Sequence, residues 1–230
     1  MIDDLFTGLV QECLSFTEQF LTRPQNLHFE AEDYSSGIFA HKDVPAFTSA
    51  DGRTIVFNHD WLIRSLPNYA DDVRFFIYHE LRHVHQKYQI SKMHSNEIID
   101  EKEATLLRWD DDFRNYQTNY GDEDSQKRNL EQEIEIDANA YAIALLNMRY
   151  FGDQSWSFMH SLPQDAYDVA NERSKIYYKT RPELKRYIDK RYREITGHMS
   201  CEKAPDRNDP CPGGSGKKFK KCCRRRGIYD

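Results

Sequence analysis

The sequence predicts an α+β fold that is mainly helical, with a small antiparallel sheet near the N-terminus and a short C-terminal appendage. Apolar residues recur at helical spacing over most of the 230 residues. Segments typical of short strands occur only within residues 27–57. A stretch rich in Pro, Gly, Asn and Asp runs from Pro205 to Gly214, so the compact body is expected to end near Gly197.

The elements follow in order from these patterns. The apolar stripe of residues 2–22 predicts a first helix, which Pro24 ends. Three short strands are predicted next, at 27–33, 36–41 and 53–58, with Asp51-Gly52 as a turn. Five further helices are predicted at 71–89, 95–118, 125–149 and, broken at Thr180-Arg181-Pro182, two within 163–196.

Charge separates a body, residues 1–198, from a linker and tail, residues 199–230. From Cys201 onward, nine lysine and arginine residues stand against four acidic residues, a net charge of +5. The whole chain carries −6, so residues 1–200 carry −11. An acidic body argues against nucleic-acid binding by the body and leaves this function open for the tail.

The N-terminus and the cysteines predict a cellular location. Met1-Ile2-Asp3-Asp4 is acidic where a signal peptide would be basic, and no apolar run is long enough to cross a bilayer. Three of the five cysteines cluster at the C-terminus, whereas Cys13 and Cys201 are isolated, which suits a reducing compartment and a metal site. We therefore expect a bacterial cytoplasmic protein without a membrane partner.

Residues 78–83 contain the motif HExxH. Residues four apart lie on one face of a helix, so His79 and His83 can present imidazole nitrogens to one tetrahedral metal ion. Glu80 follows one step round the helix, where it can act as general base toward a water molecule in the fourth position. The alternative without a metal is a helix whose two histidines lie at the surface or are hydrogen-bonded in the core.

A second helix offers a third ligand. Within residues 131–146, Glu135 shares a stripe with small residues that would let the helix approach the HExxH helix closely. Asn139, one turn on, is placed to hydrogen-bond a ligand histidine. The alternative for the acidic residues is a solvated first turn, and Glu133 with Asp137 is the runner-up ligand pair.

YHELRHVHQ together with EIDANAYAIALL resembles the zincin metallopeptidases that pair HExxH with a downstream Glu. The second segment is similar to E-x-x-A-[DN]-x-[FY]-A of the ImmA/IrrE-like peptidases and of the membrane-integral Ste24 type, which the lack of an apolar span excludes. The resemblance covers residues 54–146 and implies a zincin-like domain with Glu135 as the third zinc ligand. It departs from those families in a longer gap between the motifs and in Arg82, which replaces a small residue.

Other polar residues near the motif have weaker assignments. His85 lies on another helical face, so a surface or core role is favoured over ligation. Arg82 is expected to pair with an acidic neighbour rather than with a substrate carbonyl. The strand at 54–57 is either the cleft edge that pairs with extended substrate or a plain structural strand. Candidates to stabilise an oxyanion are Tyr78, Tyr141 and His160.

Residues 207–223, RNDPCPGGSGKKFKKCC, strongly resemble the SEC-C motif, a zinc knuckle with ligands spaced C-x-C-x8-C-[CH]. Cys211, Cys222 and Cys223 match, whereas Gly213 stands at the second Cys position. Zinc knuckles use four ligands and depend on the metal to fold, so we expect partial or conditional metallation unless water, Cys201 or His198 fills the gap.

The sequence thus predicts a Zn²⁺-dependent endopeptidase that hydrolyses a cytosolic protein or peptide, with a second, weaker zinc site in the tail. One alternative is a non-catalytic zinc-binding interaction module. Another is a ribosome- or nucleic-acid-associated factor, because the basic run at 217–226 suits an acidic protein, a ribosome or RNA as partner.

Overall fold

The computed structural model describes residues 2–66, 68–150 and 162–196 and the single residues Asn208, Lys218 and Lys221. The described residues form eight α-helices and a three-stranded sheet, so the predicted α+β class is confirmed. The chain divides into two units, Met1–Thr180 and Arg181–Asp230. The predicted body–tail boundary near residue 198 lies outside the described residues.

The first unit contains most of the secondary structure. Its elements are α1 (Ile2–Thr17), β1 (His28–Glu32), β2 (Ala46–Thr48), β3 (Thr54–Asn58), α2 (His59–Ser65), α3 (Ala70–His94), α4 (Glu103–Arg114), α5 (Glu123–Leu130), α6 (Glu133–Arg149) and α7 (Gln164–Thr180). The second unit contains α8 (Pro182–Thr196). The break between α7 and α8 is where it was predicted, because Pro182 lacks a backbone N–H and suits the first position of a helix.

Several helix boundaries differ from the prediction. Helix α3 continues to His94 and stops where Asn96 adopts a left-handed conformation with φ 55°, so the predicted helix 95–118 shortens to α4. The predicted helix 125–149 is two helices, because Gln132 is extended (φ −67°, ψ 140°) between α5 and α6. Helix α2 was not predicted. Its start is fixed by Asn58, whose side chain accepts a hydrogen bond from the Trp61 N–H.

The sheet is mixed, not wholly antiparallel as predicted. Its strand order is β1-β3-β2, with β1 parallel and β2 antiparallel to β3. The predicted strand at 36–41 is wrong: Tyr34–Ser36 form a 3₁₀ turn that Gly37 ends at φ 79°. The chain instead crosses to the far edge of the sheet, forms β2, and returns through the Asp51-Gly52 turn to the centre.

Strand β3 cannot be the substrate-pairing edge that we considered, because both of its edges are occupied by β1 and β2. The edge nearest α3 belongs to β2, and just after this strand Ser49 N–H donates to Thr54 O of β3 at 2.8 Å. Strand pairing alternates, so the backbone groups of Ala46 and Thr48 point away from β3, toward the outer edge, where the Lys87 ammonium donates to Thr48 O at 3.1 Å.

Helices α3 and α6 pack face to face at the centre of the first unit. Ala138 and Ala142 are fully buried on α6, and their small side chains permit the close approach that the sequence predicted. Trp109 on α4 joins Ile90 and Ile134 in an apolar cluster beside this contact. The segment between the HExxH motif and Glu135, which includes α4, therefore contributes to the core.

Arg82 is completely buried between α3 and α6. Its Nε lies 2.7 Å from Asp137 Oδ2, and its Nη2 lies 3.1 Å from Glu101 Oε1. The guanidinium also lies 4.4 Å from the ring centroid of Tyr141. The predicted structural pairing of Arg82 is therefore confirmed, and it fixes the register of α3 against α6.

Replacing Arg82 with leucine should lower the free energy of unfolding by about 3–5 kcal/mol, because the buried Asp137 and the partly buried Glu101 lose their guanidinium partner. The matched control is Arg114→Leu on α4, whose ion pair with Asp110 is largely exposed on the arginine side and should contribute less than about 1 kcal/mol. Urea denaturation measures both. Equal losses in the two variants would contradict the structural role given to Arg82.

Candidate metal centre

His79 and His83 lie one turn apart on α3 and point to the same place. Their Nε2 atoms are 2.9 Å apart, and the ring planes are nearly perpendicular at 85°. Both side chains are buried, with exposed fractions of 7% and 6%. The four-residue spacing therefore brings two imidazole nitrogens together as the sequence predicted.

Glu135, in the first turn of α6, faces this pair. Its Oε2 lies 3.3 Å from His79 Nε2, and its Oε1 lies 3.4 Å from His83 Nε2. One ligand atom from each residue falls within 4.8 Å of the others. Within the described ranges this is the group of His, Cys, Asp and Glu side chains that could hold a metal ion.

Each histidine is oriented through its other ring nitrogen. His79 Nδ1 lies 2.9 Å from Asn139 Oδ1, the contact predicted from the sequence. His83 Nδ1 lies 2.8 Å from Gln86 Oε1, a partner that sequence analysis missed although it lies three residues along the same helix. The Gln86 amide donates to Asp137 Oδ2 and to Ile134 O, which fixes its oxygen toward His83.

These contacts place the imidazole hydrogens on Nδ1, because amide oxygens only accept hydrogen bonds. The Nε2 lone pairs of His79 and His83 then face each other and a carboxylate, an arrangement that a bound cation would stabilise. Tetrahedral zinc with bonds of about 2.0–2.1 Å separates its ligand atoms by about 3.4 Å, close to the spacing found here. The residues present therefore fit a zinc ion.

The charges of the cluster support the same conclusion. Burial by itself would lower the pKa of His83, but the facing Glu135 carboxylate raises it overall. Burial would raise the pKa of Glu135, yet the two imidazoles hold it well below its usual range. Glu135 is therefore an anion in a buried site, and a protonated imidazole or a metal ion beside it can supply the compensating positive charge.

Glu80 lies beside the group rather than in it. Its Oε1 is 4.0 Å from His79 Nε2, and its Oε2 accepts a hydrogen bond of 2.7 Å from the Thr48 hydroxyl. The side chain is buried, with 4% exposed. Glu80 thus has one oxygen anchored to the sheet and the other toward the cluster, as a proton acceptor would need.

Tyr116 is a further site residue that sequence analysis missed. It follows α4, and its hydroxyl donates to Glu135 Oε1 at 2.8 Å while accepting from Asn129 Nδ2 at 3.0 Å. Burial and the Glu135 charge raise its pKa well above the usual range, so the phenol remains a donor. No local pattern marks this residue, since the contact forms only when the chain after α4 folds back onto α6.

The alternative ligands lie elsewhere. Glu133 pairs with Arg173, whose Nη2 donates to its Oε2 at 3.1 Å, and Asp137 pairs with Arg82. His85 is buried, with Nδ1 2.9 Å from Thr22 O and Nε2 3.3 Å from Glu101 Oε1, which matches the core role that we favoured. Of the acidic residues weighed as ligands in α6, the structure brings Glu135 to the two histidines.

The proposed oxyanion residues do not reach the cluster in the described part of the chain. Tyr78 is buried beside Cys13 on the α1 side of α3. Tyr141 donates to Phe20 O at 3.3 Å and stacks with Arg82. His160 lies outside the described residues.

The predicted knuckle also lies outside the described residues. This applies to Cys211, Cys222 and Cys223, to Gly213 at the missing ligand position, and to the substitute ligands Cys201 and His198. The predictions for the tail zinc therefore remain predictions. None of the described helices is both long and apolar enough to span a bilayer.

Known proteins match the tail. The SEC-C motif family, a zinc-binding motif, matches residues 207–225. The uncharacterized protein YecA of Escherichia coli is 68% identical over 25 residues, which is 11% of each chain. A protein translocase subunit SecA of Carboxydothermus hydrogenoformans is 48% identical over 46 residues, 19% of this chain and 5% of the relative. Another, of Prosthecochloris aestuarii, is 63% identical over 27 residues, 12% of this chain and 3% of the relative.

These matches cover small parts of both partners. This chain spans about a tenth of YecA and less of the SecA subunits. No solved structure significantly matches the chain. The candidate metal centre therefore rests on its own geometry.

Changing His79 to alanine should remove one zinc ion per chain, because one of three protein ligands is lost. Glu135→Gln should weaken zinc binding at least about tenfold. Glu133→Gln, the same change two residues earlier on α6, should leave affinity unchanged. Elemental analysis gives the stoichiometry, and competition with a chromophoric chelator gives the affinity. Equal zinc content in wild type and His79→Ala would exclude this site.

Proposed function

We propose that this protein is a zinc-dependent peptidase that hydrolyses peptide bonds of a protein or peptide. The observation that carries the proposal is the convergence of two Nε2 atoms and one carboxylate, with a second carboxylate held beside them but not among them. That arrangement supplies three protein ligands, an open position and a separate base, as catalytic zinc sites do. The zincin resemblance of the sequence rests on the same residues and is consistent with this proposal.

Each residue has a defined task in this proposal. His79, His83 and Glu135 would hold zinc, and Asn139, Gln86 and Tyr116 would keep those three oriented through the contacts described above. Zinc, when bound, supplies the Lewis acidity that polarises a carbonyl and eases the ionisation of water.

Glu80 would perform the proton transfers. Its Oε1, on the side of His79, accepts a proton from the attacking water and then delivers it to the leaving amine nitrogen. A carboxylate suits this work because it can accept the proton from water and release the same proton to the amine. The proton balance closes within one turnover, so the proposal needs no second acid.

A polypeptide substrate has an edge to bind. Thr48 at the end of β2 contacts Glu80 through its hydroxyl, and its backbone oxygen accepts from the Lys87 ammonium at 3.1 Å. An extended chain could pair with the outer edge of β2 at Ala46, before that contact. The strand proposed to pair with an extended substrate is therefore β2 and not β3.

Replacing Glu80 with glutamine should reduce hydrolysis of an unfolded protein such as casein by about 10²–10⁴-fold, since the amide cannot accept the proton. Zinc content should stay at the wild-type level, because Glu80 is not a ligand. Fluorescent peptide release and elemental analysis measure the two properties on the same samples. Wild-type rates in Glu80→Gln would refute Glu80 as the base, and removal of zinc by a chelator serves as the positive control for metal dependence.

A second candidate function rests on the SEC-C match and the basic tail. In that case the chain is a non-catalytic zinc-binding module, or a ribosome- or RNA-associated factor, that binds an acidic partner through residues 201–230. The tail's net charge of +5, opposite in sign to the body, favours such a partner.

Deleting residues 201–230 separates this function from catalysis. We expect the truncated chain to keep its peptidase rate but lose binding to RNA or ribosomes, measured by filter binding or co-sedimentation. Binding of RNA by the full chain should weaken steeply between roughly 50 and 200 mM salt, because lysine and arginine contacts to phosphates release counterions. Unchanged binding after the deletion would show that the tail is not the binding element.

A further inference from the structure

Thr48 makes a contact that the metal site itself does not require. Its hydroxyl lies 2.7 Å from Glu80 Oε2 and 3.2 Å from the Glu80 backbone oxygen. A hydroxyl has one hydrogen, and the shorter contact, to a charged acceptor, is the stronger one. Thr48 therefore donates to the carboxylate of the residue proposed as general base.

Thr48 is held firmly enough to orient another side chain. It ends β2 and pairs with Ile55 of the central strand β3. The Lys87 ammonium, on α3, donates to Thr48 O at 3.1 Å and to Ser49 O at 2.7 Å. Glu80 and Lys87 lie two turns apart on α3, so this helix contacts the end of β2 at two points.

The two oxygens of Glu80 consequently have different surroundings. Oε2 is bonded to the sheet, whereas Oε1 lies on the side of His79 and the cluster. A carboxylate held at one oxygen cannot rotate freely about its terminal torsion, which is otherwise broad. The hydrogen bond thus selects which oxygen faces the reacting water.

We propose that Thr48 is a positioning residue for Glu80, and that its hydroxyl holds the base in the orientation needed for proton transfer. This inference rests on the proposed peptidase function. Thr48 acts through Glu80 and has no role as a zinc ligand.

The test compares four forms of the zinc-loaded full chain: wild type, Thr48→Val, Thr48→Ser and Thr17→Val. Valine keeps the β-branched shape that suits a strand but removes the hydroxyl, and serine keeps the hydroxyl. Thr17 is a matched control, because it is buried and its hydroxyl donates to Cys13 O at 2.9 Å, away from the site.

We expect Thr48→Val to lower kcat by about 10–100-fold with KM within about twofold, because a misplaced base affects the chemical step more than binding. Thr48→Ser should restore most of kcat, and Thr17→Val should match wild type. Zinc content and the absorption spectrum of the cobalt-substituted protein should be the same in all four forms. A crystal structure of zinc-loaded Thr48→Val should show the Glu80 carboxylate displaced.

The other outcomes overturn the inference. Wild-type kcat in Thr48→Val, or a Thr48→Ser form as slow as Thr48→Val, would show that the hydroxyl is not the cause. Loss of zinc or an altered cobalt spectrum in Thr48→Val would assign Thr48 a structural role instead. If the wild type itself shows no metal-dependent hydrolysis, the proposed function fails. The positioning role of Thr48 is then tested by the crystal structure of Thr48→Val, and an unmoved Glu80 carboxylate refutes it.

Discussion

The buried contact between α3 and α6 is the constraint on which the rest of the structure depends. Arg82 donates to Asp137, Asp137 accepts from the Gln86 amide, and the Gln86 oxygen accepts from His83. An ion pair in the core is thus linked, by hydrogen bonds alone, to a candidate metal ligand. Because a buried charge is costly without its partner, the two helices have little freedom to slide. The fold and the orientation of His83 are therefore determined by the same contact.

The two helices also differ in what they contribute to the centre. Helix α3 supplies the histidine pair and the proposed base from adjacent turns, so their relative positions depend only on helical geometry. Helix α6 supplies one carboxylate and one amide, and their positions depend on how closely α6 packs. Small buried residues such as Ala138 and Ala142 make that close approach possible. Larger side chains there would separate the carboxylate from the imidazoles.

Two hydrogen-bond donors to the site come from segments outside α3 and α6. Thr48 reaches Glu80 from the edge of the sheet, and Tyr116 reaches Glu135 from the segment after α4. Both are hydroxyl donors, and each holds one oxygen of its carboxylate in place. The proposed base Glu80 and the proposed ligand Glu135 thus each receive a hydroxyl hydrogen bond from a different region of the chain.

The sequence alone determined the features that depend on local spacing. HExxH places His79 and His83 on one face, Asn139 follows Glu135 by one turn, and the tail motif is defined by its cysteine spacing. It also indicated the helix break at Pro182, since proline acts on its own backbone. Sequence analysis was wrong for two different reasons. The antiparallel sheet failed on pairing between distant residues, whereas the strand at 36–41 failed on a local 3₁₀ turn that ends at Gly37. A strand pattern does not specify which neighbour it will have.

The tertiary structure decided which residues meet. Glu133 and Glu135 are both acidic and both in the first turn of α6, yet one pairs with Arg173 and the other faces the histidines. Gln86 and Tyr116 have no pattern that sets them apart from other polar residues. The physical reason is that helical periodicity constrains side chains only within about a turn or two, whereas contacts across dozens of residues are set by the packing of whole elements.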